Sequence, residues 1–336
     1  MSRLDRQLLG ASLASLALSV VLMLWGSDYT RPAKAPPLTP LEAESLTPVK
    51  QRRLPDNTYL TYPEWFLVFS PREYAAYVRE HTPTDFPYLG HLAQFWTGYA
   101  EANRQARPYG FNFDYHLMNF IIGASTTAEF LVKASYEATV GRVSQALAWG
   151  EMTDEDKFSA RQSADYARLL DTKAWYDYPY FDDLKGLWRL PVFGPGFLRK
   201  LERRYILTTD YAFKGIYGHL MYQAARASYE PEVPQTALLD SQGRLHSLPR
   251  YQAFQDEALA LAKQGMQFQE IAGNRQGIMV CYQAPAGTLQ LPEGSTLLFS
   301  QPLLTQPQIQ RVVLRVPIDQ LHRILQQIPV EHVFDF

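Results

Sequence analysis

An uncharged run from Leu8 to Trp25 constrains this chain more than any other feature. It holds seven leucines in 18 residues, with only Ser and Gly as polar relief, and Arg3 and Arg6 precede it. At about 1.5 Å rise per residue such a helix spans roughly 27 Å, close to the hydrocarbon thickness of a bilayer. Trp25 falls where an interfacial aromatic belongs. A cleaved signal peptide has a shorter apolar core followed by a small-x-small site. Here the nearest such site, Ala33-Lys34-Ala35, is followed by Pro36, which should hinder cleavage. Residues 1–26 are therefore expected to be a retained transmembrane signal-anchor, which makes this a single-pass membrane protein. Arg3 and Arg6 (with Asp5 against them) precede the run, and Arg31 and Lys34 follow it. That balance favours a cytoplasmic N-terminus with the bulk extracytoplasmic, periplasmic in a bacterial envelope.

The remainder is long enough for one large domain or two ordinary ones. A net charge of −2 argues against a general nucleic-acid binder. The single cysteine, Cys281, excludes an intrachain disulfide framework and a thiolate zinc cluster. Flanked by Ile278, Met279, Val280 and Tyr282, it reads as a small hydrophobe in a buried strand.

Residues 27–58 carry six prolines and no sustained period, and read as a Pro-rich linker. Residues 59–230 read as a helical domain. Helix starts are expected at Thr61-Tyr62-Pro63-Glu64, at Ser70-Pro71-Arg72-Glu73 and at Thr153-Asp154-Glu155-Asp156, each with a capping residue and early acids. His116–Leu147 has no proline and suits one long helix or two abutting ones. Leu117–Val132 is apolar but short and interrupted by Asn119 and Glu129, which favours a buried helix over a second span. From residue 231 the character changes. Pro231, Pro234 and Asp240-Ser241-Gln242-Gly243 break the helices, and residues 231–336 read as α-β-β-β-β-α-β, with a hairpin turn at Asn274-Arg275-Gln276-Gly277. The expected class is α+β: an anchor, a duplicated helical domain, and a small C-terminal ferredoxin-like module built on one antiparallel sheet.

The duplication rests on ordered matches between residues 73–136 and 165–217. Glu73-Tyr74-Ala75 pairs with Asp165-Tyr166-Ala167, Asp85-Phe86-Pro87-Tyr88 with Asp177-Tyr178-Pro179-Tyr180, Leu92 with Leu184, and Trp96 with Trp188, all at one offset. At a shorter offset, Glu129, Lys133 and Tyr136 match Asp210, Lys214 and Tyr217. Each of these triads lies on one helical face, with the acid four residues before the lysine. The six residues form the candidate polar cluster, either as ordinary ion pairs fixing a helix seam or, with the two triads facing each other across a pseudo-twofold axis, as a buried polar core that could bind an anionic head group or pass a proton.

A second candidate lies on residues 184–208. Phe197, Leu198, Leu201 and Tyr205 form an apolar stripe opposite Arg199, Lys200, Arg203 and Arg204, with Lys185, Trp188 and Arg189 just before. A basic amphipathic helix of this kind is expected to lay its charges on an anionic membrane surface. The seven histidines show no metal-binding spacing, and no nucleophile elbow, Walker loop or dinucleotide fingerprint occurs, so no metal or cofactor is implied.

These features predict a single-span, membrane-anchored protein of binding or assembly type. Its partners would be the bilayer and other membrane or envelope proteins, not nucleic acid, and its role non-catalytic. The alternative is a membrane-bound enzyme or lipid-handling protein with a polar pocket between the repeats. A polar cavity lined by Lys133, Lys214, Tyr136 and Tyr217 favours the alternative; ion pairs pointing to solvent favour the scaffold.

Overall fold

The computed structural model describes residues 45–48, 51–53, 57–228 and 235–335. The expected anchor lies outside them, as does most of the linker. Among the described residues no helix is long and apolar enough to cross a membrane.

Residues 57–228 are helical, and the remainder is sheet with two helices, so the chain is α+β. The helices are α1 (Asn57–Leu60), α2 (Tyr62–Val78), α3 (Tyr88–Ala106), α4 (Phe113–Tyr136), α5 (Arg142–Leu147), α6 (Asp154–Leu169), α7 (Tyr180–Leu187) and α8 (Phe197–Ser228). The two starts expected at Thr61 and Ser70 belong to one helix, with Pro71 inside α2. An interior proline removes one backbone bond. Burial of Phe66 and Phe69 before it and Ala75 and Val78 after it outweighs that loss. The segment expected as one or two helices is α4 and α5, joined by a single π-turn at Glu137–Gly141. The start at Thr153 forms as expected: its side chain accepts from Asp156 N, and Asp156 reaches back to the Thr153 N–H, a full capping box.

The C-terminal region contains β1 (Gln235–Asp240), β2 (Leu245–Pro249), α9 (Gln252–Lys263), β3 (Phe268–Ile271), β4 (Gly277–Pro285), β5 (Thr296–Leu303), β6 (Gln306–Pro317), α10 (Ile318–Ile324) and β7 (Val330–Val333). The strands form two antiparallel sheets, ordered β2-β1-β3 and β5-β6-β4-β7, where a single sheet was expected. β1 and β2 form a hairpin about Asp240–Gly243, a turn that the sequence pattern marks only as a break between helices. Asp240 accepts from the N–H groups of Gln242 and Arg244 and sets that turn. The hairpin expected at Asn274–Gly277 does not form. β3 pairs with β1, β4 pairs with β6 and β7, and Ala272 and Gly273 turn the chain with positive φ. Cys281 sits fully buried between Val313 and His332, the core position its neighbours implied, and burial pushes its thiol pKa up.

The chain divides into two compact units. One combines residues up to Phe66 with Leu92–Ala128 and Val233–Phe336; the other comprises Leu67–His91 and Glu129–Glu232. In the first unit, part of the expected linker is docked. Ser45 Oγ donates to the buried Glu270 carboxylate at 2.7 Å, Arg52 donates to the Ser45 and Thr47 carbonyls at 2.8 and 2.7 Å, and Arg53 N donates to Ala272 O at 2.9 Å.

Candidate functional site

Four of the six residues of the expected polar cluster meet in the second unit. Glu129 Oε1 lies 2.8 Å from Lys133 Nζ and 2.9 Å from Lys214 Nζ, while Asp210 lies 3.6 Å from Lys133 and 3.5 Å from Lys214. The result is a closed square of two cations and two anions. Each within-helix pair follows from the four-residue spacing, and the cross pairs join α4 to α8. Burial alone would raise the Glu129 pKa, but Lys133 and Lys214 outweigh it and hold the carboxylate low. Burial opposes charge on both lysines, yet Asp210 and Glu129 raise their pKa values. Glu129 and both lysines therefore stay ionised through neutral pH, which suits a clamp and not a proton relay.

The two expected tyrosines lie elsewhere. Burial and a hydrogen bond to Glu202 raise the Tyr136 pKa, and Tyr217 stacks on Trp175 at 5.4 Å. A tyrosine outside the expected cluster lies beside one of its lysines: the Tyr166 ring is 5.9 Å from Lys214 Nζ.

The basic helix is turned inside out relative to expectation. Arg199, Lys200, Arg203 and Arg204 are each at most 5 % exposed. Arg199 donates to Asp156 at 2.9 Å and also to Gly141 O, Ser144 Oγ and Glu202. Lys200 pairs with Asp154 at 2.7 Å, Arg203 with Glu137 at 2.9 Å and Glu202 at 2.6 Å, and Arg204 with Glu155 at 2.8 Å. The acids of the α6 first turn thus take three of the four cations. Four cations so placed cannot meet lipid head groups, and the exposed side of this stretch is the apolar one. Of the flanking residues, Lys185, Trp188 and Arg189 are exposed; Lys185 pairs with Asp182, and Trp188 Nε1 donates to Thr208 Oγ1.

Contacts recur between the two matched segments. Tyr74 meets Phe86 edge-on at 4.9 Å, and Tyr166 meets Tyr178 edge-on at 5.1 Å. Phe86–Tyr88 and Tyr178–Tyr180 both lie at 4.9 Å. Trp96 Nε1 donates to Thr127 Oγ1 at 3.1 Å, and Trp188 Nε1 to Thr208 Oγ1 at 3.1 Å.

A cleft of about 250 Å³ lies over Tyr178, Tyr180, Phe181, Asp182, Gly215 and His219, apart from the charged square. Among the described residues no group of His, Cys, Asp and Glu is placed to hold a metal ion.

In the first unit, Glu64 is the outlying acid. Burial first, with Asp335 adding and Arg250 opposing, pushes its pKa from 4.5 to about 7. The folded state then keeps this proton where the unfolded chain has lost it, so stability falls as pH rises from about 4.5 to about 7 and is level above. Glu64→Gln is accordingly expected to raise the melting temperature at pH 8 and to leave it unchanged near pH 4. An equal shift at both pH values would assign the gain to something other than the charge.

Comparison of the chain with known protein families, with curated proteins and with solved structures gives no match.

Proposed function

We propose that this is a single-span membrane-anchored protein whose extracytoplasmic bulk serves binding or assembly at the membrane surface. Its membrane placement draws on the uncharged run Leu8–Trp25. The observation that carries the non-catalytic role is the closed square Glu129–Lys133–Asp210–Lys214, whose charges are spent on each other. A catalytic lysine needs a lowered pKa, and both of these are raised. We also propose that residues 73–136 and 165–217 are copies of one ancestral helical unit. The recurring ring pairs and Trp-to-Thr bonds support this, because chance matches in sequence have no reason to repeat a hydrogen bond. An experimental structure should superpose Pro87 on Pro179, Trp96 on Trp188 and Lys133 on Lys214; unrelated orientations would refute the duplication.

The anchor is tested on the full chain expressed in cells. The protein should stay with membranes through alkaline carbonate washing, and N-terminal sequencing of the extracted protein should begin near Met1. A mature start near Ala35 or Pro36, with the protein in the wash, would sink the anchored reading.

A further inference from the structure

The outward side of α8 is apolar along most of its length. Phe197, Leu198, Leu201, Phe213, Ile216 and Leu220 are each between 38 % and 66 % exposed. The charged residues interleaved with them, Arg199, Lys200, Arg203, Arg204, Asp210 and Lys214, point inward and are paired. The same unit shows Val143 and Leu147 on α5, Trp149 at 93 % exposure and Phe193 at 81 %. Trp149 stands at φ 57°, a left-handed conformation uncommon for a bulky side chain. The turns bearing Trp149 and Phe193 are neighbours: a Cβ placed on Gly196 would lie 3.2 Å from Thr153 and 3.7 Å from Ala148.

A helix facing water shows the reverse order, charge out and apolar in. Charges closed into pairs inside, with an uncharged exterior, is the arrangement that hydrocarbon requires of a solute. Scattered exposed leucines are ordinary, but apolar residues exposed along one side of α8 from Phe197 to Leu220, interrupted only at Thr209 and His219, mark a contact surface. We propose that this face of the second unit lies in the acyl region of a phospholipid bilayer, with Trp149 at its interfacial edge.

The proposal rests on the membrane reading above, and the Leu8–Trp25 run is what selects lipid over another occupant, since that reading places the chain at a bilayer. The inward pairing of the four cations also sets the lipid chemistry. None of them is left to attract anionic head groups, so seating needs neither anionic lipid nor low salt, unlike a basic surface helix.

The test uses the full chain reconstituted in vesicles of phosphatidylcholine alone. Leu201→Cys, Phe213→Cys and, on the exposed side of α9, Asp256→Cys are each labelled with an environment-sensitive fluorophore. Cys281 is fully buried, so labelling goes to the introduced site. The labels at 201 and 213 should be quenched several-fold more by nitroxides on lipid acyl chains than by iodide, equally at low and high salt, and the label at 256 should show the reverse. Iodide quenching at 201 and 213, with the protein still held through carbonate, would overturn the buried face and leave the anchor standing. Loss of the protein from the vesicles would refute the membrane reading and this proposal with it. Protection from both quenchers that disappears on dilution with excess lipid would mean that a second copy covers the face, which also overturns it.

Discussion

Arg199→Ala should destabilise the protein by about 3–5 kcal/mol, the range for breaking a buried pair by removing one partner. Arg199 is fully buried, and its guanidinium reaches Asp156 on α6, Ser144 on α5, Glu202 on its own helix and the Gly141 carbonyl of the π-turn. Truncation strands the Asp156 carboxylate, itself 3 % exposed, and leaves a void where water has little access. Arg199→Lys keeps the charge but cannot fork across four acceptors, so it should retain only part of the stability. Lys185→Ala is the matched control. Its pair with Asp182 is about two-thirds exposed on both sides and should be worth less than about 1 kcal/mol. Thermal and urea unfolding of the detergent-solubilised protein measure all three. An Arg199→Ala midpoint equal to that of Lys185→Ala would mean that water reaches Asp156 and that the network is ornamental.

Glu129→Gln should have the next largest effect, about 1–3 kcal/mol, with the 37 % exposure of Glu129 keeping it toward the lower figure. The substitution leaves the ammonium groups of Lys133 and Lys214 in one site with only the longer contacts to Asp210, at 3.6 and 3.5 Å. The informative variant is the double one. Glu129→Gln with Lys214→Met restores charge balance and should recover part of the loss, giving a coupling energy of about 0.5–3 kcal/mol. Strict additivity of the two single changes would show that the square is four independent surface charges.

Local rules read much of the fold correctly and failed where tertiary context decides. The capping box at Thr153 and the burial of Cys281 were legible because each is encoded within a few residues. The four charged members of the square were legible as two helical pairs, since spacing puts acid and lysine on one face. That the pairs would meet each other was suggested only by the internal matches. Periodicity divided α8 into two faces correctly, but it does not say which face is inside. The missing clue was a count of partners: Asp154, Glu155 and Asp156 open α6 as three consecutive acids, and α8 carries four cations in its first two turns. Read together, those two clusters predict an interior electrostatic seam; read separately, they looked like a cap and a basic surface. Tyr136 and Tyr217 were drawn into the candidate site by spacing alone, and packing against Glu202 and Trp175 claimed them instead.

On the anchored reading proposed above, the docking of Ser45 on Glu270, with Arg52 holding the Ser45 carbonyl, sets the length of a leash. With that segment held, only residues 26–44 separate the apolar run from the docked segment, a length of chain that can reach at most about 68 Å at roughly 3.6 Å per residue. On that reading, a tether this short would hold the local concentration of the domain at the membrane in the millimolar range. An apolar face whose free affinity for lipid is only millimolar would therefore be seated about half the time, and a tenfold stronger one almost always. Release of the Ser45–Arg53 strap would lengthen the leash and dilute that contact without altering a single residue of the face.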